Sequence, residues 1–333
     1  MRLTILLALS SLLLSSCGPS SGATEFELSG PTMGTTFDVK IVAPRGSLST
    51  QALQPVLQQT LDTTEQLTST YIEQSELSMF NSNTSTDWVS VSAQLCNTVA
   101  RALALARRTD GAFDITVGPL VNLWGFGPDG VRSQPPSEAE IARLMTQVGF
   151  AKLQVDCERP ALRKQHPQLF VDLSGWAKGF AVDQLAELLM AQGIDNFLIE
   201  VGGEMRVYGS NAEGKPWAVA IEKPISDGRE VQSILRLSDT GLATSGDYRN
   251  YFEHEGLRYS HTIDPRTGKP IAHQLASVTV FDDSAADADG LATALLVLGP
   301  MEGPALARRL GIEALFLLRT PNGFDTIRTA ATN

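Results

Sequence analysis

The sequence predicts an α+β fold in which antiparallel sheets are covered by helices, and three observations lead there. Short strand-like runs follow one another from Phe197 to Phe281 with Gly, Asp and Asn between them, the punctuation of hairpins. Stretches with apolar residues at three- and four-residue spacing lie before and after them, as amphipathic helices require. Repeated strand-helix-strand units, a fixed internal period and low-complexity tracts are all missing from the sequence, which disfavours a wound parallel sheet or a solenoid.

In chain order, Thr35 to Val42 alternates polar and apolar residues as a half-buried strand does. It follows the turn-forming Pro31-Thr32-Met33-Gly34, so Met33 projects from a loop. Leu48 to Leu67 and Leu95 to Ala106 read as helices, the second with Leu95, Val99, Ala102 and Ala106 on one face. After the breaker Pro135-Pro136 a helix starts at Ser137, whose spacing to Glu140 is that of a capping box. Phe170-Val171 ends a strand, and Ala177 to Gln192 follows as a helix with Val182, Leu185, Ala186 and Leu189 inward. Asp172 to Gly175 therefore sits at a strand-to-helix junction. Further strands are expected at Phe197–Val201, Met205–Tyr208, Trp217–Ile221, Ile234–Leu237, Tyr248–Phe252 and Ser277–Phe281. Leu291 to Leu298 reads as a helix and Ala314 to Leu318 as a final strand.

The 333 residues, 43% of them hydrophobic, are enough for one large domain or two smaller ones with a sizeable core. A formal charge of −11 without a Lys/Arg-rich run argues against a sequence-independent grip on nucleic acid. A polyanionic substrate must then be small and met locally, through a metal. Met1 to Cys17 has one early Arg, an apolar run from Leu3 to Leu14 too short to span a membrane with ordinary flanks, and then Leu14-Ser15-Ser16-Cys17. The segment resembles a bacterial lipoprotein signal. That resemblance implies removal of residues 1–16, lipids on Cys17, and a membrane anchor facing the periplasm, with the inner membrane as the expected location. An ordinary secretory signal cut elsewhere is the alternative. Residues 17–24 form a short polar tether and residues 25–333 the domain itself. In such a compartment Cys96 and Cys157 are either bridged or two buried thiols; neither has metal-ligand spacing.

Gly125 to Gly130 matches G-x-G-x-x-G, but Val131 to Pro136 is a loop rich in breakers rather than the helix a dinucleotide fingerprint needs, so the match reads as a structural turn. Two other segments look like a phosphate-and-metal site. Ser260 to Gly268 crowds the imidazole of His261, the carboxylate of Asp264 and the guanidinium of Arg266 around a Pro-Gly turn. Asp287 to Ala294 starts an apolar helix that puts Asp289 and Thr293 on one face, which is oxygen chemistry for Mg²⁺. Lys178 stands in the first turn of its helix, where the macrodipole disfavours a cation unless an anion is bound. The glycines of Glu200-Val201-Gly202-Gly203-Glu204 allow close approach to a ligand. Taken singly, each has a structural explanation: a helix cap, a hydrogen-bonded histidine, a solvated lysine, a plain turn. Asp110 to Leu120 likewise reads as core and turn.

Taken in order, however, these segments resemble the ApbE family, the FAD:protein FMN transferases, over nearly all of the mature chain. The agreeing runs are Met33-Gly34-Thr35; Ser69-Thr70-Tyr71 with Ser75-Glu76-Leu77-Ser78 and Phe80-Asn81; and Gly111 to Asp114 continuing through Trp124 to Gly127. Asp172 to Gly179, Gly202-Gly203, Thr244 to Asp247, Ser260 to Gly268 and Asp287 to Gly299 complete the set. The resemblance implies a T-fold-related α+β arrangement. It implies that Met33 and Tyr71 contact the flavin dinucleotide, and that Ala112, Phe113, Asp114, Asp172, Lys178 and Ile263 line its site. It gives the metal the Gly175 carbonyl, Asp289 and Thr293, and leaves Asp287 as a ligand, an outer-shell group or a cap. The implied activity is Mg²⁺-dependent transfer of FMN from FAD to a Ser/Thr hydroxyl of an extracytoplasmic or membrane protein, with release of AMP. His261 is expected to take the hydroxyl proton, oriented by Asp264 or Asp172. The competing readings are an FAD pyrophosphatase, with water in place of the hydroxyl, and a lipid-anchored FAD-binding protein without turnover.

Overall fold

A computed structural model describes residues 22–128, 130–226 and 228–330. The expected signal peptide and Cys17 lie outside the described residues.

An eight-stranded antiparallel sheet holds its strands side by side in chain order: β1 (Ala23–Thr32), β2 (Thr35–Pro44), β3 (Phe197–Val201), β4 (Glu204–Tyr208), β5 (Thr240–Gly246), β6 (Leu275–Asp282), β7 (Glu313–Thr320) and β8 (Gly323–Thr329). β1 and β2 meet at a two-residue turn in which Met33 and Gly34 both have positive φ, 47° and 70°, the twist-matched hairpin geometry. Among the described residues seven α-helices accompany the sheet: α1 (Thr50–Thr68), α2 (Glu76–Ser82), α3 (Ala93–Arg108), α4 (Gly118–Leu123), α5 (Glu138–Met145), α6 (Ala177–Ala191) and α7 (Ala285–Leu310). The expected capping box of Ser137 and Glu140 starts α5.

Alternation along the strands decides which face the helices cover. Phe37, Val39 and Ile41 of β2 and Phe197, Ile199 and Val201 of β3 are buried against α1 and α6. α7 leaves the sheet after β6 and lies across β5 and β6 before β7 returns, with Leu291, Leu295 and Leu296 in the largest core cluster. By length and composition it is apolar enough to cross a membrane, yet it is mostly buried inside the fold. α6 and α7 cross so closely at Gly179 that a β-carbon there would lie 2.2 Å from the Ala285 carbonyl oxygen. On the opposite sheet face a ribbon of Trp217–Glu222 and Val231–Leu237 packs Trp217, Val219 and Ile221 onto Val207 and Leu242. A small hairpin, Tyr251–His254 with Leu257–Ser260, leads to His261.

Several expectations are corrected. Ala23 and Thr24 belong to β1 rather than to the tether. Phe170 and Val171 are not in a strand; the Asn81 carboxamide, at 2.8 Å from both the N–H and the carbonyl of Val171, plays the part of a neighbouring strand. Tyr248 precedes the hairpin, and β8 follows the strand expected to be last. Of the two alternatives left open for Cys96 and Cys157 the bridged one holds, their Cα atoms 5.7 Å apart, which ties α3 to the turn after Leu153–Asp156. Beside α2 the buried Lys164 donates to the carbonyls of Asn81 and Asn83, 2.8 Å each, over the Phe80 ring. Burial pushes its pKa down to about 8.

Candidate active site

A chamber of about 450 Å³ opens where β5, the first turns of α6 and α7, the Asp172–Gly175 loop and the His261 segment converge. Its inner wall begins at the start of α7. Asp183 of α6, itself buried, accepts from the Ala285 and Ala286 N–H groups at 3.0 and 3.1 Å and from the Ser284 hydroxyl at 2.6 Å. Arg206 donates to the same carboxylate at 2.8 Å. These bonds satisfy helix N–H groups that have no partner within α7 and fix its rotation. Asp289, one turn on, then faces the chamber at 4% exposure. Asp287 turns outward to Arg101, 3.4 Å away, and does not line the chamber.

Asp289, Thr293 and Gly175 all line this wall. The Asp289 Oδ2 accepts the Gly179 N–H at 3.2 Å, and Thr293 Oγ1 is 3.0 Å from Ser245 Oγ. A β-carbon on Gly175 would lie 3.4 Å from Thr293 Oγ1, which puts the Gly175 backbone beside the same spot. Among the described residues no group of three His, Cys, Asp or Glu side chains converges as a metal cage. Carboxylate, hydroxyl and carbonyl oxygens together are nonetheless the donor set that suits Mg²⁺, which keeps several waters and needs few protein ligands. Burial pushes the Asp289 carboxyl upward, with Lys178 working against the shift, so a further cation has an electrostatic reason to sit there. Lys178 Nζ is 2.6 Å from Glu204 Oε2. Burial pushes Glu204 up to about 8 against the pull of Lys178, and Asp289 adds to the rise. Burial opposes the charge of Lys178, yet the carboxylates of Glu204 and Asp289 raise its pKa overall.

His261 stands on the outer wall. Its Nδ1 is 3.1 Å from the Asn250 carbonyl oxygen. A carbonyl only accepts, so Nδ1 carries the proton in the neutral ring and Nε2 keeps its lone pair. Burial lowers the imidazole pKa, which favours that neutral form, and the Phe126 ring meets it edge-on with centroids 6.3 Å apart. Asp264 does not orient this ring. Both of its oxygens are 2.9 Å from the Arg266 guanidinium, and it does not line the chamber. Asp172 does not orient the ring either: it lines the chamber, but its Oδ1 accepts from the Ser174 N–H and hydroxyl at 2.8 and 2.6 Å to shape the loop. The segment before His261 is instead held by ions: Asp247 pairs with Arg319 of β7, Arg258 donates to the Asp247 carbonyl at 2.6 Å, and Arg249 pairs with Glu222 of the ribbon.

Tyr71, Ala112, Phe113, Asp114, Asp172, Gly175, Lys178, His261, Ile263, Asp289 and Thr293 all line this chamber. Met33 does not. It lines an adjoining cleft of about 470 Å³ that shares Tyr71, Ser174 and Lys178 with the chamber. Two joined spaces of this size suit an elongated ligand. The Asp114 carboxylate accepts from Thr116 and from the Phe150 N–H, so it braces the loop as well as lining it.

A family model described as the ApbE family matches residues 33–316. The chain belongs to the ApbE family. It is 46% identical over 319 residues to the FAD:protein FMN transferase of Vibrio cholerae serotype O1, covering 96% of this chain and 95% of that protein. To the Escherichia coli K12 FAD:protein FMN transferase it is 42% identical, covering 90% and 86% of the two chains. Among solved structures, the flavin transferase ApbE from Vibrio cholerae superposes with a TM-score of 0.86 at 44% identity, covering 93% of this chain and 98% of that one. The apo flavinyl transferase ApbE of Pseudomonas stutzeri gives 0.85 at 40% identity, covering 93% and 96%.

Sequence reasoning missed Glu204 and Ser245 of this ApbE chain as chamber residues. The signals were present: Glu204 follows the paired glycines Gly202-Gly203, and Ser245 lies within Thr244-Ser245-Gly246.

Proposed function

We propose that this chain transfers FMN from FAD to a Ser or Thr hydroxyl of an acceptor protein, making a phosphoester and releasing AMP. The observation that carries the reading is one chamber with a neutral imidazole on one wall and Asp289, Thr293 and Gly175 on the other, joined to a second cleft of about 470 Å³. The acceptor oxygen attacks the FMN-side phosphorus; its proton passes to Nε2 of His261, and the bond from that phosphorus to the bridging oxygen breaks, so the electron pair leaves with AMP. The Asn250 carbonyl keeps the ring in the tautomer that can take this proton. Asp289, Thr293 and the Gly175 carbonyl would hold Mg²⁺, which neutralises charge on the pyrophosphate when bound. Lys178, buried beside Glu204, supplies a fixed positive charge for the same substrate.

Anchoring through lipids on Cys17, facing the periplasm, belongs to this proposal. The Cys96–Cys157 bridge supports an oxidising compartment. Purified protein incubated with FAD, Mg²⁺ and membrane extract tests the activity. Flavin fluorescence on a protein band after denaturing electrophoresis is the expected result. Free FMN with AMP and no labelled band would identify a pyrophosphatase instead, and intact FAD a binding protein.

A further inference from the structure

A third space, a groove of about 1040 Å³, joins the chamber from another side. It shares Thr244, Tyr248 and Arg249 with the chamber, whereas the Met33 cleft joins at Tyr71, Ser174 and Lys178. Its floor is the outer face of β2 and β3, and one wall is the ribbon strand Trp217–Glu222, which ends at the Glu222–Arg249 pair beside the chamber. Three features of this groove ask for an occupant. The ribbon is two-stranded, so among the described residues each of its strands keeps an unpaired edge on which a chain can add. Val231 on the groove and Ile234 nearby are 59% and 64% exposed, apolar surface left uncovered. On the floor Asp38 and Glu200 are direct cross-strand partners, and like charges in that arrangement repel. Among the described residues neither has a cation at ion-pair distance, and Glu200 has only the Gly203 N–H at 2.9 Å. Burial raises the pKa of Glu200 against the Gly203 N–H, with Asp38 adding to the rise and the more distant Arg229 guanidinium opposing it.

We infer that this groove receives an extended segment of the acceptor protein, which brings its hydroxyl past Tyr248 and Arg249 to His261 and sets a Lys or Arg side chain on the Asp38–Glu200 pair. The inference rests on the transferase reading. It assigns the two entrances different tasks, the Met33 side for the dinucleotide and the ribbon side for the polypeptide. A segment extended at about 3.3 Å per residue needs such a trough, because a folded surface cannot reach into a chamber of this size.

The test compares wild type with Ala220→Trp, on the ribbon wall, and with the double variant Asp38→Asn/Glu200→Gln, on the floor. FAD binding is read by flavin fluorescence, folding by the melting temperature, and protein labelling by in-gel fluorescence with membrane extract as acceptor source. Both variants are expected to bind FAD within a few-fold of wild type and to label protein at least tenfold more slowly. The double variant should also lose the sensitivity of labelling to added salt. Wild-type labelling by both variants overturns the inference, as does wild-type labelling by Ala220→Trp alone. Normal labelling by the double variant with a slow Ala220→Trp removes the basic side chain and keeps the groove. If wild type itself labels nothing, the transferase reading has failed first.

Discussion

The two walls of the chamber are built differently. The α7 wall is rooted in the core: Asp289 and Thr293 stand on a helix whose first turn is held by Asp183, the Asp289 carboxylate accepts the Gly179 N–H, and the Thr293 hydroxyl meets that of Ser245. The His261 wall is a peripheral hairpin, held by aromatic stacking of Tyr259 on Trp124 and of Phe252 on Phe126 and by ion pairs to distant strands, Asp247 to Arg319 and Arg249 to Glu222. Core packing surrounds the first wall, whereas the second adds to its aromatic stacking ion pairs that salt and single substitutions reach.

The largest effect that tests this contrast is on the α7 wall. Asp289→Ala removes the charged oxygen of the set and Thr293→Ala a neutral one, so Asp289→Ala should cost about 10³ in transfer rate at limiting Mg²⁺, several kcal/mol, and Thr293→Ala less. Both should need more Mg²⁺ for a given rate. A wild-type Mg²⁺ dependence in Asp289→Ala would remove the metal from this wall.

On the other wall His261→Ala should slow transfer by about 10² while FAD affinity stays within a few-fold. The pH profile gives the sign. The base must be neutral, and burial lowers its pKa, so the rate in wild type should hold to lower pH than an ordinary imidazole allows before falling. The alanine variant should lack that acid limb; parallel loss of rate and FAD affinity would make His261 a scaffold residue.

Smaller still, Arg319→Met unties Asp247 without touching the chamber. Transfer should drop by roughly tenfold, less than a 1 Å misplacement can cost, with Mg²⁺ dependence and melting temperature near wild type. Equal damage to Mg²⁺ dependence would show that the two walls are one unit. The smallest effect on rate belongs to Cys96→Ser with Cys157→Ser: folding stability should fall by about 2–4 kcal/mol, measured by denaturant titration, while kcat is unchanged.

The same contrast governed what the sequence revealed. Asp289 and Thr293 lie four residues apart on one helix, so local spacing was enough to pair them. His261 was legible as a residue type beside a turn, but its partner was not: sequence proximity suggested Asp264, which belongs to Arg266, and the true contact is a backbone carbonyl eleven residues back. Strands with clean alternation, β2 and β3, were readable, while β5, rich in Thr, Gly and Ser, carries no such pattern and pairs because β4 and β6 flank it. Phe170-Val171 misled because a side-chain amide from Asn81 replaces the strand that its composition suggested.

Lys164 leaves a thermodynamic signature far from the chamber. Folding lowers its pKa from 10.5 to about 8, so between those values the unfolded chain binds more protons than the folded one. Linkage then requires that conformational stability rise with pH through that window, the reverse of what a lysine that gains an ion pair would produce. A neutral amine still donates to the two carbonyls that hold the end of α2. Mild alkali should therefore tighten the segment that Asn81 ties to the active-site loop, and Lys164→Met should flatten the rise.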